Sequence, residues 1–436
     1  MTTTKQIPIE VRTSVVLVSS TPTAVLHGVL GAVRSLGRLG IPVHLVHPLA
    51  HTPMSRSRFM TSSRTLRLRQ EEPQVYLREL QAFGAELGDR PVLIACDDAV
   101  ALLIADHQES LAEHFRLRIP TAQLSHALSD KALLAQICAT YSIDTPRSAV
   151  PTTPAEVEAF AEQVGLPLVV KIADPNVLLA SRGTDQPGQP GRPRQQPSVQ
   201  IVNTMAELHE AMLDGDRVRP GRILQQHIRG GADSIWMFNG YVDAQGRCVH
   251  GYTARKLRQC RPGTGYTSLG ICEVNPEVEH IAKKLLHDVA YQGIVDLGLL
   301  RDERTGRYLL LDVNPRLGAT FRLFVGADGT DVVRALYADL TDQPLPPSGT
   351  VAGRRWVTEP HDTYAALLYR RTGDLTVRRW VWSYRKVDER AWWAADDPVP
   401  FVAMLGWVAQ QGLAAGRRRI GARTSAWSAV AQASAA

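Results

Sequence analysis

The spacing of apolar and polar positions divides the chain into segments of distinct character. Ser14–Ser20 (SVVLVSS) is a continuous apolar run of strand length. Thr23–Leu39 repeats its apolar residues at helical spacing until Gly40 stops it. Ile41–Pro48 is a second apolar run, so the opening segment predicts a βαβ unit with parallel strands. A helix around Gln74–Leu87 and a strand at Pro91–Asp98 continue the α/β pattern. The loop after the first strand, SSTPTAVLHG, lacks the glycine spacing of a dinucleotide-binding turn.

Ser129–Tyr141 predicts a helix with Ser129 as its N-cap, and IDTP separates it from a second helix at Pro154–Val164. GLPLVVKIAD follows as a short apolar strand carrying one lysine. The stretch Asp174–Ser198 is rich in Pro, Gly, Gln and Arg, cannot bury a core, and reads as a mobile loop. Next come a helix at Thr204–Leu213, a strand at Arg222–Ile228, and two strands around a turn at Asp243–Arg247. Pro276–Tyr291 predicts a helix capped by Asn275 and ended by Gly293. Strands near Ile294–Leu300 and Arg307–Val313 flank the polar turn Arg301–Gly306. Seven of the eight tryptophans lie beyond Pro346, which implies a small packed lobe or an interaction surface.

The 436 residues are too many for one ordinary core and imply two or three domains. Runs such as Val92–Cys96 are too short to span a bilayer, and MTTTKQIPIE has no apolar signal-peptide region, so a cytoplasmic location is expected. Five scattered cysteines without CxxC pairs argue against a disulfide framework and structural zinc. The net charge of +6 is diluted along the chain apart from Arg417–Arg419 and Arg423, and no nucleic-acid-binding pattern accompanies it.

The chemistry concentrates in LLLDVNPRLGATFRLF (Leu309–Phe324). Asp312 and Asn314 are two apart on a strand, so they share a face about 7 Å apart. Two hard oxygen donors so placed suit Mg²⁺ shared with nucleotide phosphates. Asp, Asn and Pro are also ordinary turn formers, so a plain strand end is the alternative. Arg316 continues the same side and offers a fork for phosphate or carboxylate. Asp296, one strand earlier, converges on the pair. Asp302 competes for that role from a turn-like RDERTG setting.

Lys171 stands in an apolar strand, where it needs an anion or loses its charge, unless it lies at an edge with its head in solvent. Lys131 sits in the first turn of a helix, a position unfavourable for a cation unless an anion shares it. In RILQQHIRGGAD the backbone around His227 and Ile228 can meet an adenine edge, and Asp233 can take ribose hydroxyls. Lys256 and Arg258 precede a Gly-rich loop and can neutralise a transferring phosphoryl group; a solvated basic strand end is the alternative.

In this order, from about Asp130 to Leu345, these pieces resemble the ATP-grasp superfamily, and DVNPRLGATFRLF is similar to a subgroup of carboxylate–amine ligases. The resemblance implies α/β and α+β architecture. A Rossmann-like pre-ATP-grasp domain (1–125) would precede a two-subdomain ATP-grasp domain (126–345, with loop 174–198 in its lid) and a small Trp-rich C-terminal lobe (346–436). It implies Lys131, Lys171, Gln226, His227, Ile228, Asp233 and Leu311 as nucleotide-binding residues, and Asp296, Asp312 and Asn314 as metal ligands. Arg316, Lys256 and Arg258 would be the catalytic cations. The family usually has glutamate where Gln226 and Asp312 stand.

The implied activity is joining a small-molecule carboxylate to an amine through an acyl phosphate. ATP and two Mg²⁺ ions are the implied cofactors, with Mn²⁺ as a substitute. Oligomeric state stays open, with a homodimer as the arrangement the resemblance suggests, and no nucleic-acid or membrane partner is expected. Two other readings stay open: a non-catalytic ATP-binding or regulatory protein, and attachment to membrane or nucleic acid through Val399–Arg419.

Overall fold

In the computed structural model, the described residues are 9–69, 72–172, 199–263 and 265–410. The expected loop at 174–198 and the basic end at Arg417–Arg423 lie outside them. The N-terminal elements are β1 (Val15–Val18), α1 (His27–Gly37), β2 (Val43–His47), β3 (Ser62–Thr65), α2 (Pro73–Leu87), β4 (Val92–Ala95), α3 (Asp98–Asp106) and α4 (Gln108–Ala112). Their four strands form a parallel sheet in the order β3-β2-β1-β4. β1 is buried on both faces, which is why it reads as an unbroken apolar run. Val15 and Leu17 pack with α1, and Val16 and Val18 with α2 and α3.

α6 (Lys131–Thr140) lies where a helix from Ser129 was expected, and α5 (Ala122–Ser129), which the pattern did not mark, precedes it. Ser129 ends α5, and Asp130 is the N-cap of α6. Its carboxylate accepts from the Ala132 and Leu133 amides at 2.8 and 2.9 Å, an ion against two orphan donors. β5 (Ser148–Ala149), α7 (Pro154–Val164), β6 (Leu168–Ile172), β7 (Val199–Val202), α8 (Met205–Met212), the small hairpin β8 (Leu213–Asp214) and β9 (Arg217–Val218), and β10 (Arg222–Gln226) follow. The antiparallel sheet β5-β10-β6-β7 carries α7 and α8 on one face, with Leu168, Val170 and Leu224 in the core between them. Strand alternation therefore turns Lys171 to the other face.

The largest sheet has the order β15-β14-β11-β12-β13-β16-β17. It uses β11 (Ile235–Val242), β12 (Cys248–Cys260), β13 (Tyr266–Cys272), β14 (Gly293–Arg301), β15 (Tyr308–Asn314), β16 (Arg355–Val357) and β17 (Glu389–Arg390). α9 (Pro276–Asp288) covers one face together with α5 and α6, over Phe238, Leu297, Leu310 and Val313. α10 (Val332–Leu340) and α1 cover the other, over Met237, Tyr252, Ala254 and Cys272. α1 is thus sandwiched between the N-terminal sheet and the largest sheet.

Residues 346–410, expected as a lobe of their own, add β16 and β17 to this sheet. α11 (Glu359–Arg371) and α12 (Val377–Ser383) follow β16. Trp356 and Trp392 are each 1% exposed in the same core as α1. Arg34 of α1 ties the segment down through the Asp397 carboxylate at 2.9 Å and the carbonyls of Ala391 and Trp392 at 3.2 and 2.8 Å.

Candidate active site

β14 and β15 pair with Asp296 opposite Asn314 and Gly298 opposite Asp312. Directly opposed residues share a face, so all four point the same way. Asn239 of β11, opposite Asp296, joins them. A Cβ at Gly298 would stand 2.2 Å from Asp312 Oδ1, and one at Gly318 would stand 2.7 Å from Asp296 Cγ. Two glycines thus leave room for two carboxylates. The register skips between Gly298 and Leu299, and Leu311 is the extra residue of that bulge. Leu311 is half-buried and belongs to none of the apolar cores.

Arg316 follows at the strand end. Its Nε donates to Asp98 Oδ1 at 2.8 Å, and its terminal nitrogens donate to the Leu317 carbonyl and Asn314 Oδ1, each at 3.3 Å. Asp98 opens α3, beside the parallel sheet's C-terminal edge, and Leu317 N reaches the Ala95 carbonyl of β4 at 3.2 Å. Asp97 organises the facing loop. Its carboxylate accepts from Ser19 Oγ and from the amides of Ser20, Thr21 and Val100 at 2.6–3.1 Å. This edge is where open α/β sheets present ligands.

Charges across the cleft respond to one another. Burial, reinforced by Asp312, pushes the Asp296 carboxyl up to about 6 against Arg316 and Lys256. Burial lowers Lys256, and Asp312 and Asp296 oppose it. Burial and neighbouring Lys131 lower Lys171 to about 8, with Asp312 opposing. Lys171 of β6 thus lies within electrostatic reach both of Lys131, at the start of α6, and of Asp312 on the largest sheet.

Several expected residues stand elsewhere. Leu257 is an extra residue between the pairs Lys256–Gly270 and Arg258–Leu269, so Lys256 and Arg258 face opposite sides. Arg258 is 8% exposed and forks onto Asp362 with two bonds of 2.8 Å and onto Ser383 Oγ at 2.9 Å. Gln226 opposes Leu168 and so lies on the helix-covered face; Gln225, opposite Val169, shares the face of Lys171. Asp302 caps its own turn, accepting from Arg304 N at 2.9 Å and Thr305 Oγ1 at 2.8 Å. Asp233 is exposed, 4.0 Å from Arg255. His227 and Ile228 are half-buried just past β10, and among the described residues neither makes a backbone hydrogen bond. Burial lowers the His227 imidazole, and Arg229 adds to it.

The sequence reading missed Asn239, Asp97, Asp98, Gln225 and the two close glycines. Asn239 had a visible signal: a carboxamide inside the apolar run IWMFNGYV. It is fully buried, with Nδ2 on the Val295 carbonyl at 3.3 Å and Oδ1 without a partner.

No family model matches the chain. It is 22% identical to the D-aspartate ligase of Enterococcus faecium over 250 residues, 57% of this chain and 58% of that one. It is 25% identical to the D-alanine–D-alanine ligase of Xylella fastidiosa over 207 residues, 45% of this chain and 61% of that one. The matches therefore span less than two thirds of either relative. Among solved structures, the L-amino acid ligase of Bacillus licheniformis superposes with a TM-score of 0.57 at 15% identity, over 80% of this chain and 79% of that one. The biotin carboxylase domain of Hydrogenobacter thermophilus 2-oxoglutarate carboxylase, in complex with MgADP, ADP and bicarbonate, superposes with a TM-score of 0.55 at 14% identity, over 78% and 72%. Two sheets facing each other across a lysine-and-carboxylate cleft, behind a parallel α/β domain, give this chain the ATP-grasp fold.

Proposed function

We propose that the chain is an ATP-dependent ligase that activates a small-molecule carboxylate as an acyl phosphate and joins it to an amine. One observation carries the reading: Lys171, beside Lys131, lies within electrostatic reach of Asp312, which shares one strand face with Asp296 and Asn314. A triphosphate with divalent cations complements both walls.

The donor set fits Mg²⁺. Asp296 and Asp312 repel each other, the Asn314 carboxamide adds an oxygen, and Gly298 leaves open space at the Asp312 carboxylate. Among the described residues no three acids, histidines or thiols meet, so phosphate oxygens and water would complete the coordination. Bound there, one or two Mg²⁺ ions, or Mn²⁺ in their place, would neutralise charge on the phosphates. Lys131 and Lys171 hold the phosphates from the opposite wall, and Lys256 sits beside the carboxylates to offset charge on the transferring group. His227 and Ile228 offer free backbone groups to the adenine, Gln225 shares the face of Lys171, and the half-buried Leu311 offers an apolar contact. Asp233 is open to the ribose.

Arg316 has three of its five N–H groups engaged, which leaves two for the substrate carboxylate or the transferred phosphate. A carboxylate oxygen attacks the γ-phosphorus and ADP departs. The amine then attacks the acyl carbon and phosphate leaves. The test is a screen of acids and amines for phosphate release with Mg·ATP, comparing the native chain with Asp312→Ala. Substrate-dependent release that the variant loses supports the ligase; nucleotide binding with no release for any pair would establish a binding protein instead.

A further inference from the structure

The ligase reading leaves one strongly charged surface without a role. α12 is anchored on its inner side only: Trp380 Nε1 donates to Asp362 at 2.8 Å, and the Trp380 and Tyr384 rings meet edge-on at 5.7 Å. No residue of α12 is buried, and Val377, Val381 and Trp382 are 49%, 52% and 54% exposed. The adjoining α11 shows Tyr364 and Leu367 at 50% and 53%, and an apolar cleft lined by Leu367, Leu375, Val377 and Trp380 joins the two helices.

Cations surround this apolar surface. From Arg370 to Lys386 the chain holds Arg370, Arg371, Arg378, Arg379, Arg385 and Lys386 against the single carboxylate Asp374. Among the described residues none of the six is in an ion pair, and the Arg385 guanidinium lies 4.1 Å above the Trp382 ring. A second copy of this face would meet like charge. A nucleic acid would meet the cations but leave Val377, Val381 and Leu367 against water. An anionic lipid surface answers both features, with headgroups for the cations and the acyl boundary for Val381 and Trp382.

We propose that α11 and α12 form a peripheral docking surface for anionic membranes. The surface lies behind the strand that carries Lys256, because Arg258 of β12 grips Asp362 of α11. Docking therefore leaves the nucleotide cleft on the other side of the sheet.

Co-sedimentation of the full chain with phosphatidylcholine vesicles, with and without phosphatidylglycerol, tests this. Binding is expected only with phosphatidylglycerol and should weaken as salt rises. Arg378→Glu with Arg379→Glu should weaken it by at least about tenfold. Val381→Ser with Trp382→Ser, which leaves the charge unchanged, should weaken it several-fold. Unaltered thermal unfolding in both variants would show that the fold survives. No binding to the anionic vesicles overturns the proposal. So does a Val381/Trp382 variant that binds as the native chain does, or equal binding to duplex DNA that only the arginine variant loses.

Discussion

Asp312 occupies the space that a side chain at Gly298 would fill: a Cβ there would lie 2.2 Å from its Oδ1. The obstacle is a side-chain end rather than backbone, so the carboxylate can swing aside without the fold giving way. Gly298→Ala should leave thermal unfolding within a few degrees of the native chain. It should reduce Mg·ATP-dependent phosphate release by about 10²-fold, because a displacement of about 1 Å suffices for that. A Mg²⁺ titration of the variant, showing a raised metal requirement, checks the cause.

Lys171, lowered to about 8, should make nucleotide binding depend on pH. A bound triphosphate favours the charged ammonium, so binding near pH 8 should take up a proton, and affinity should fall as pH rises further. Calorimetry in two buffers of different ionisation enthalpy measures that uptake. The sign for stability is the reverse of a paired lysine's. The folded value lies below the unfolded one, so the unfolded chain holds the extra proton from about pH 8 up to the ordinary lysine value, and this residue's contribution rises with pH there. Lys171→Met should remove both effects.

Arg258 and Asp362 should behave as a buried structural pair. Their side chains are 9% and 0% exposed, and removing either partner strands the other. Arg258→Ala or Asp362→Ala should each cost about 3 kcal/mol in denaturant unfolding. The double change Arg258→Met with Asp362→Leu should recover much of that loss. Nucleotide affinity, measured well below the unfolding transition, should stay native in all three variants. A selective loss of turnover in Arg258→Ala would return that arginine to the reacting groups.

Adjacent glutamines give an internal control. Gln225 faces the cleft with Lys171, and Gln226 faces the α7 and α8 side. Gln225→Ala should weaken ATP binding by about fivefold, the worth of one hydrogen bond. Gln226→Ala should change it by less than about twofold. Equilibrium binding of a fluorescent ATP analogue distinguishes the two.

Much of the molecule was legible residue by residue. The helix at Pro154–Val164 lies where the pattern placed it, with Thr153 capping it and Pro154 in its first turn. The turn at Asp243–Arg247 closes through the Asp243 amide and the Arg247 carbonyl at 3.0 Å. Errors arose where a local rule met an insertion or a neighbour. Ser129 looked like a cap until Asp130, one residue on, offered a charged acceptor. A regular β12 would put Arg258 on Lys256's face, and one extra residue, Leu257, reverses that.

Local periodicity was enough to determine many of the elements, though not α3, α5, β13 or α10 to α12, together with the placing of Asp312 and Asn314 on one face and the presence of lysines that need an anion, because each depends on residues a few positions apart. The tertiary structure alone decided which strands became neighbours. It joined Arg316 to Asp98 and Arg258 to Asp362, and drew β16 and β17 into the central sheet. Those contacts link residues tens to hundreds of positions apart, and their free energy depends on the path of the whole chain, which no short window of sequence contains.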